Sequence, residues 1–296
     1  MIAFTTRRSF NLLNTETNTV TLTIQANEPI VKFNYDGSKI LLVSQRRFIN
    51  LIDSYTGELL NEMPITEYIN NLDISKDGSK FLINGNMSHE IRIYNLQNFE
   101  LISSIQCIPN SIVNDISFNS DGTKIISCSA GFVNIHDTTT GQVLLSKRET
   151  QGITISLFFT PTDDYIISKT MNGYIMANNS LTFETEFYFG GITAAAKKIS
   201  ISPDGSCLLF YRSNFYTTRD YSIILLDFNT HEVIFQFTIN SDIFSLSFNS
   251  DGTKIIICCK DIRIFDLETR DYSFISEGHN ATFACIQPEE FYTGLK

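Results

Sequence analysis

Apolar and polar positions in this chain alternate in short runs, and the runs recur. Leu246 to Asn249 alternates, Ser250-Asp251-Gly252 is a turn signal, and Ile255 to Cys259 is continuously apolar. Lys260-Asp261 turns again, Ile262 to Asp266 alternates, and Leu267 to Arg270 turns the chain once more. Period-two alternation sets one face of a strand against a core, and Asp-Gly suits a tight connection. The pattern predicts a meander of short antiparallel strands. Helical periodicity is nearly absent. Its best candidate, Thr193 to Lys198 beside Gly190-Gly191, is too short to hold a helix unaided and reads as a loop.

Asp36-Gly37, Asp77-Gly78, Asp121-Gly122, Asp204-Gly205 and Asp251-Gly252 fall in register. Thr162-Asp163 and Glu289-Glu290 fit the same slot, at steps of 41, 44, 41, 42, 47 and 38 residues. A second marker follows the third strand of each unit: Asn14, Asp53, Asn95, Asp137, Asn178, Asp227 and Asp266, side chains able to bond the backbone just ahead. A self-similar period of about 40 residues with several strands per unit predicts an all-β fold, a seven-bladed β-propeller of four-stranded antiparallel blades.

The chain opens in the middle of a unit. Ile2 to Thr6, Ser9 to Leu13 and Thr19 to Ile24 read as second, third and fourth strands, and Ala281 to Gln287 reads as the missing first strand. The last blade is therefore expected to be built from both chain ends, residues 1–28 and 277–296, within one domain spanning 1–296. Such a union would remove exposed sheet edges. In the first strands, Phe33, Ile74, Phe118, Phe159, Ile201, Phe248 and Ile286 share one position. Val31, Leu72, Ile116, Leu157, Ile199, Leu246 and Ala284 stand two residues earlier, on the same face, and both sets should pack between neighbouring blades.

The stretch DGTKIIICCKDIRIFD and the pair Gly278-His279 resemble the WD40-repeat family, with Phe265 where that family prefers Trp. Leu51 to Ile65 (LIDSYTGELLNEMPI) is similar to the related YVTN-type propellers. The chain has no Trp, so the WD40 network of buried His, Asp, Ser/Thr and Trp is complete in no unit. What the resemblance implies is a scaffold that docks partners and has no chemistry of its own.

Composition narrows the remaining classes. At 43% hydrophobic and 18% charged the chain can bury a large core, with 24 Phe as filler. A net charge of −10 weighs against nonspecific nucleic-acid binding. The six Cys show no CxxC or even spacing and read as buried free thiols in a reducing, cytoplasmic compartment. There is no apolar run of about 18 residues, so no membrane span is expected. His89, His136, His231 and His279 stand at no metal-ligand spacing, and no nucleotide or nucleophile motif occurs. No catalytic residue, metal or cofactor is expected. The enzyme alternative, a hydrolase with a metal in the central channel, would have to use Asp73 and Asp115, which could equally bond the backbone.

Loop placement singles out one face. In a propeller the second-to-third-strand loops and the fourth-to-first-strand loops lie together. That rule gathers Arg7-Arg8, Arg46, Arg47, Lys197, Lys198, Arg212, Arg219 and Lys260 with Tyr68, Phe215, Tyr216 and Tyr221. Of these, Arg46, Arg47, Tyr68, Lys198, Arg212, Phe215, Tyr216, Arg219, Tyr221 and Lys260 form the candidate partner-binding set. Arg and aromatic side chains supply most interface anchors, so the expected partner is a protein or acidic peptide. The chain would act as a monomer or as a subunit of a larger hetero-complex. The other alternative is a nucleic acid or another anionic ligand on the same face. The longest departure from the repeat, Tyr211 to Tyr221, lies within the 47-residue step.

Overall fold

The computed structural model describes residues 2–14, 17, 19–44, 48–86, 89–107, 111–189, 196–213, 221–276 and 283–286. Every regular element among them is a β-strand. In chain order these are β1 (Ile2–Thr5), β2 (Ser9–Asn14) and β3 (Thr19–Gln25), followed by blade 1, made of β4 (Ile30–Phe33), β5 (Lys39–Ser44), β6 (Phe48–Asp53) and β7 (Leu59–Pro64). Blade 2 is β8 (Ile69–Ile74), β9 (Lys80–Gly85), β10 (Glu90–Asn95) and β11 (Leu101–Gln106). Blade 3 is β12 (Val113–Phe118), β13 (Lys124–Ser129), β14 (Phe132–Asp137) and β15 (Val143–Arg148). Blade 4 is β16 (Thr154–Phe159), β17 (Tyr165–Thr170), β18 (Ile175–Asn179) and β19 (Thr185–Phe189). Blade 5 is β20 (Ala196–Ile201), β21 (Cys207–Ser213), β22 (Tyr221–Asp227) and β23 (Val233–Ile239). Blade 6 is β24 (Ser245–Phe248), β25 (Lys254–Cys258), β26 (Ile262–Asp266) and β27 (Tyr272–Ser276), and β28 is Phe283–Ile286. Each blade is a four-stranded antiparallel meander, and a seventh sheet has the order β28-β1-β2-β3, with Ala3 opposite Cys285. The fold is all-β, a seven-bladed β-propeller. No helix among the described residues is long and apolar enough to cross a membrane.

The two sequence markers have a direct physical basis. Gly37, Gly78, Gly122, Gly205 and Gly252 all take φ between 67° and 78°, which a side chain would strain. The Asp before each accepts the N–H two residues on, as Asp121 does from Thr123 at 2.8 Å. The Thr123 hydroxyl and N–H hold that carboxyl below its usual range. In blade 4, Asp163 takes the glycine slot at φ 63°. Its carboxylate accepts bonds from Ser120 N, Ser120 Oγ and Asn119 Nδ2 of blade 3, so a strained residue persists because it clasps the neighbouring blade. The second marker needs one correction. In blade 4 the residue that receives the turn N–H groups, from Leu181 and Thr182, is Asn179. Asn178 is instead 1% exposed, with its Oδ1 accepting from Lys147 Nζ and Thr185 Oγ1. Glu289-Glu290 and Gly278-His279 lie outside the described residues.

The chain divides into two compact units, one comprising Met1–Pro29 and Thr193–Lys296, the other Ile30–Ile192. In the second unit, Leu72 and Ile74 pack with Leu41, Val43 and Leu51 between blades 1 and 2. Ile116 and Phe118 pack with Leu82 and Ile93 between blades 2 and 3, and Leu157 and Phe159 with Ile126 and Cys128 between blades 3 and 4. In the first unit, Leu246 and Phe248 join Leu209 and Leu225 between blades 5 and 6. These first-strand residues thus pack between blades, as their shared face requires. Large side chains of this kind contribute about 1.5–3 kcal/mol each when buried.

Candidate interaction site

The first unit carries most of the predicted cations. Arg7 and Arg8 are exposed in the turn between β1 and β2, and Lys260 is exposed between β25 and β26. Arg212 is half-buried on β21, opposite Ala196 and Ser222. Lys198 is exposed but lies within β20, not in a loop: the segment read as a loop becomes a first strand from Ala196, because Ala196, Ile199 and Ile201 pair with β21. Lys197 lies in the same strand. Arg7, Arg8, Lys198, Arg212 and Lys260 take part in none of the ion pairs formed among the described residues. Phe215, Tyr216 and Arg219 lie outside the described residues, as do Arg46 and Arg47 of the other unit.

Tyr221 has a structural occupation. It opens β22, its hydroxyl bonds the Asp242 carboxylate, and its ring meets Tyr211 edge-on with centroids 6.0 Å apart. Tyr211 in turn donates to Ile243 O at 2.6 Å, and burial pushes its phenol up to about 12. The Tyr pair thereby fixes the loop between β23 and β24. The next residue, Phe244, is exposed and donates its N–H at 2.8 Å to the backbone oxygen of Cys258, two residues before Lys260. Phe244 was not among the sequence candidates. The signal that finds it is positional: Tyr68, Ile112, Ile153 and Phe244 each immediately precede a first strand, and all but the half-buried Tyr68 are exposed. Tyr68 itself accepts a bond from Asn86 N through its backbone oxygen.

In the second unit Asp73 and Asp115, the carboxylates of the channel-metal alternative, bond the next blade. Asp73 accepts from Phe118 N at 2.9 Å and Ser117 Oγ at 3.1 Å, and pairs with Lys32 at 3.3 Å. Asp115 accepts from Leu157 N at 2.9 Å, and burial nevertheless pushes its carboxyl up. Among the described residues no group of three His, Cys, Asp or Glu is placed to hold a metal. His136 is 2% exposed, with Nε2 2.9 Å from Ser127 Oγ, and burial lowers its pKa from 6.5 to about 4. It therefore stays neutral near pH 7. Cys107, Cys128, Cys207, Cys258 and Cys259 are free thiols. Burial pushes Cys107 up to about 11 and Cys258 up to about 12, which leaves them protonated and poorly nucleophilic.

Residues 100–137, spanning β11 to β14, match the family model described as WD domain, G-beta repeat. No curated protein matches the chain.

Proposed function

We propose that this chain, a WD40-type β-propeller, is a non-enzymatic scaffold that docks an acidic protein segment on loop ends of its first unit. The observation that carries the reading is a set of cations, Arg7, Arg8, Arg212 and Lys260, that form no ion pair among the described residues, in the same unit as the exposed ring of Phe244. A protein of net charge −10 has an excess of carboxylates with which to neutralise them, yet these cations keep open positions. Phe215, Tyr216 and Arg219, in the segment between β21 and β22, belong to the same proposed surface, and Lys198 to its margin. Asp73 and Asp115 support the non-enzymatic side of the proposal, since Asp73 is engaged by Phe118 N, Ser117 Oγ and Lys32 and Asp115 by the N–H groups of Leu157 and Ile116.

The test uses fluorescence anisotropy with a short labelled peptide of glutamate and leucine, its lysine counterpart and a single-stranded oligonucleotide as probes. Arg212→Glu combined with Lys260→Glu should weaken binding of the glutamate peptide by about tenfold or more, roughly 1.4 kcal/mol. Phe215→Ala with Tyr216→Ala should cost about 2 kcal/mol of binding, the range of interface hot spots. Thermal stability should be nearly unchanged in both. Unaltered affinity in the charge-reversed protein overturns the reading, and tighter, strongly salt-dependent binding of the oligonucleotide replaces it with an anionic-ligand function.

A further inference from the structure

The other unit holds a surface of opposite chemistry. Glu149 opens the loop between β15 and β16. It is 9% exposed, and its Oε1 is buried with no hydrogen-bond partner among the described residues. Burial pushes its carboxyl up, opposed only by the charge of Lys147. Lys147 is not its bonding partner: that ammonium is committed to Phe183 O at 2.6 Å, Thr185 Oγ1 at 2.9 Å and Asn178 Oδ1 at 3.1 Å. At the end of the same loop, Thr154 is 1% exposed, and its Oγ1 is likewise buried without a partner. A buried carboxylate oxygen with no hydrogen-bond partner is costly, and a fold rarely retains one without something to answer it.

The loop is built rather than slack. Glu149 N donates to Gly131 O at 2.9 Å, Asn172 Nδ2 to Gln151 O at 3.4 Å, and Met171 N to Ile153 O at 2.8 Å. Gly152 sits at φ 118°, and an added Cβ would lie 2.8 Å from Asn172 Nδ2, so only glycine fits the bend. Asn114 Nδ2 bonds Thr154 O at 2.9 Å, which ties the entry of blade 3 to that of blade 4. This frame presents three large apolar side chains to solvent: Met171 at 62% exposure, Ile112 at 59% and Ile153 at 47%. Large apolar side chains left exposed on a hydrogen-bonded frame mark an interaction surface.

We infer that this junction of blades 3 and 4 binds an apolar peptide segment carrying one basic residue, with Glu149 taking the cation and Ile112, Ile153 and Met171 its apolar neighbours. Charge complementarity selects the occupant. An acidic or neutral segment would leave the buried carboxylate unanswered, and a highly charged basic tail would leave the apolar rim unused. The surface is separate in chemistry and position along the chain from the cationic loop ends of the first unit, so neither reading depends on the other.

The experiment measures binding of a short labelled peptide, one arginine flanked by leucines in a glycine-serine background, to the full chain. Its twin carries citrulline in place of arginine. The arginine peptide should bind about tenfold or more tightly than the citrulline peptide. Glu149→Gln should bring the arginine peptide down to the citrulline level, and Ile153→Ser with Met171→Ser should weaken both peptides. Arg212→Glu with Lys260→Glu should change neither, which separates failure here from failure of the acidic-segment reading. Equal affinity for the two peptides, or no binding of the arginine peptide, overturns the inference. So does a marked fall in the melting temperature of Glu149→Gln, because that carboxylate would then serve a partner inside the fold.

Discussion

The two units solve one packing problem with different chemistry. The position just before each third-strand turn residue holds Leu13, Leu226 and Phe265 in the first unit, and Ile52, Tyr94, His136 and Asn178 in the second. In the first unit the slot is hydrocarbon. Phe265 stacks on Phe237 with centroids 4.6 Å apart and touches Phe235 and Tyr272 at 5.3 and 5.0 Å. In the second unit, three of those four side chains carry a polar atom, and hydrogen bonds cross between blades: Asn71 to Asn114 O, Asn114 to Thr154 O, Asn84 to Val113 O, and backbone N–H groups of a neighbouring blade to the carboxylates of Asp73, Asp115 and Asp163. A hydrophobic junction tolerates sliding and replacement, because dispersion is not directional. A bonded junction fixes register, and leaves any unmatched polar atom exposed to a desolvation penalty. Hence the second unit, where polar groups are spent freely, is also where the orphaned oxygens of Glu149 and Thr154 stand out.

The contrast can be broken from either side. The largest effect is expected at the aromatic junction. Phe265→Ala removes a ring that is 4% exposed and central to the stack, and should destabilise by about 3–5 kcal/mol in urea unfolding. A loss below about 1 kcal/mol would mean that Phe235 and Phe237 collapse into the gap, and that the stack is plastic.

Next comes the acid response of His136. Its folded pKa of about 4 lies below the reference value of 6.5, so over that interval the unfolded chain binds a proton that the fold excludes. The contribution is complete above pH 6.5 and is lost as pH falls toward 4, up to about 3 kcal/mol. Raised carboxyls work the other way: Asp115 and Glu149 gain stability on acidification, so they cannot produce the loss. His136→Phe, which copies the first unit's chemistry at this slot, should flatten the stability profile between these two pH values. An unchanged slope in that variant would assign the acid response elsewhere.

The smallest of the three is Asp115→Ala, expected to cost about 1–3 kcal/mol by leaving Leu157 N as a buried donor without an acceptor. Asp115→Asn keeps an acceptor oxygen and should recover much of that loss. If both variants melt like the parent, the Asp115 carboxylate contributes nothing net to the junction of blades 3 and 4.

Local chemistry made the repeat legible. Asp-Gly turns need positive φ at the second residue, strand alternation has period two, and both are properties of a few adjacent residues. The strand limits of the 246–270 unit follow closely from them, as β24 (Ser245–Phe248), β25 (Lys254–Cys258) and β26 (Ile262–Asp266) show. Even the irregular Thr162-Asp163 was readable as a turn, with Asp163 in the glycine conformation. The choice between Asn178 and Asn179 was not legible, since adjacent identical residues give the pattern no asymmetry. In the fold Asn178 is the inward one, bonded by Lys147 from another blade and by Thr185 of its own.

The candidate site divides in the same way. That cations belong to loop ends could be read from strand counting, and Arg7, Arg8 and Lys260 lie there. Lys198 did not, because TAAAKK has neither helical length nor strand alternation, and pairing of Ala196, Ile199 and Ile201 with β21 makes it a strand. What the sequence by itself determined was the periodic frame, since turn geometry and strand alternation are set within a few residues. Which polar groups are satisfied was decided only by tertiary structure. Asp73, Asp115 and Tyr211 find their partners, and Glu149 Oε1 lacks one, through contacts with another strand, loop or blade, and burial there turns an ordinary acidic residue into one that needs an answering charge.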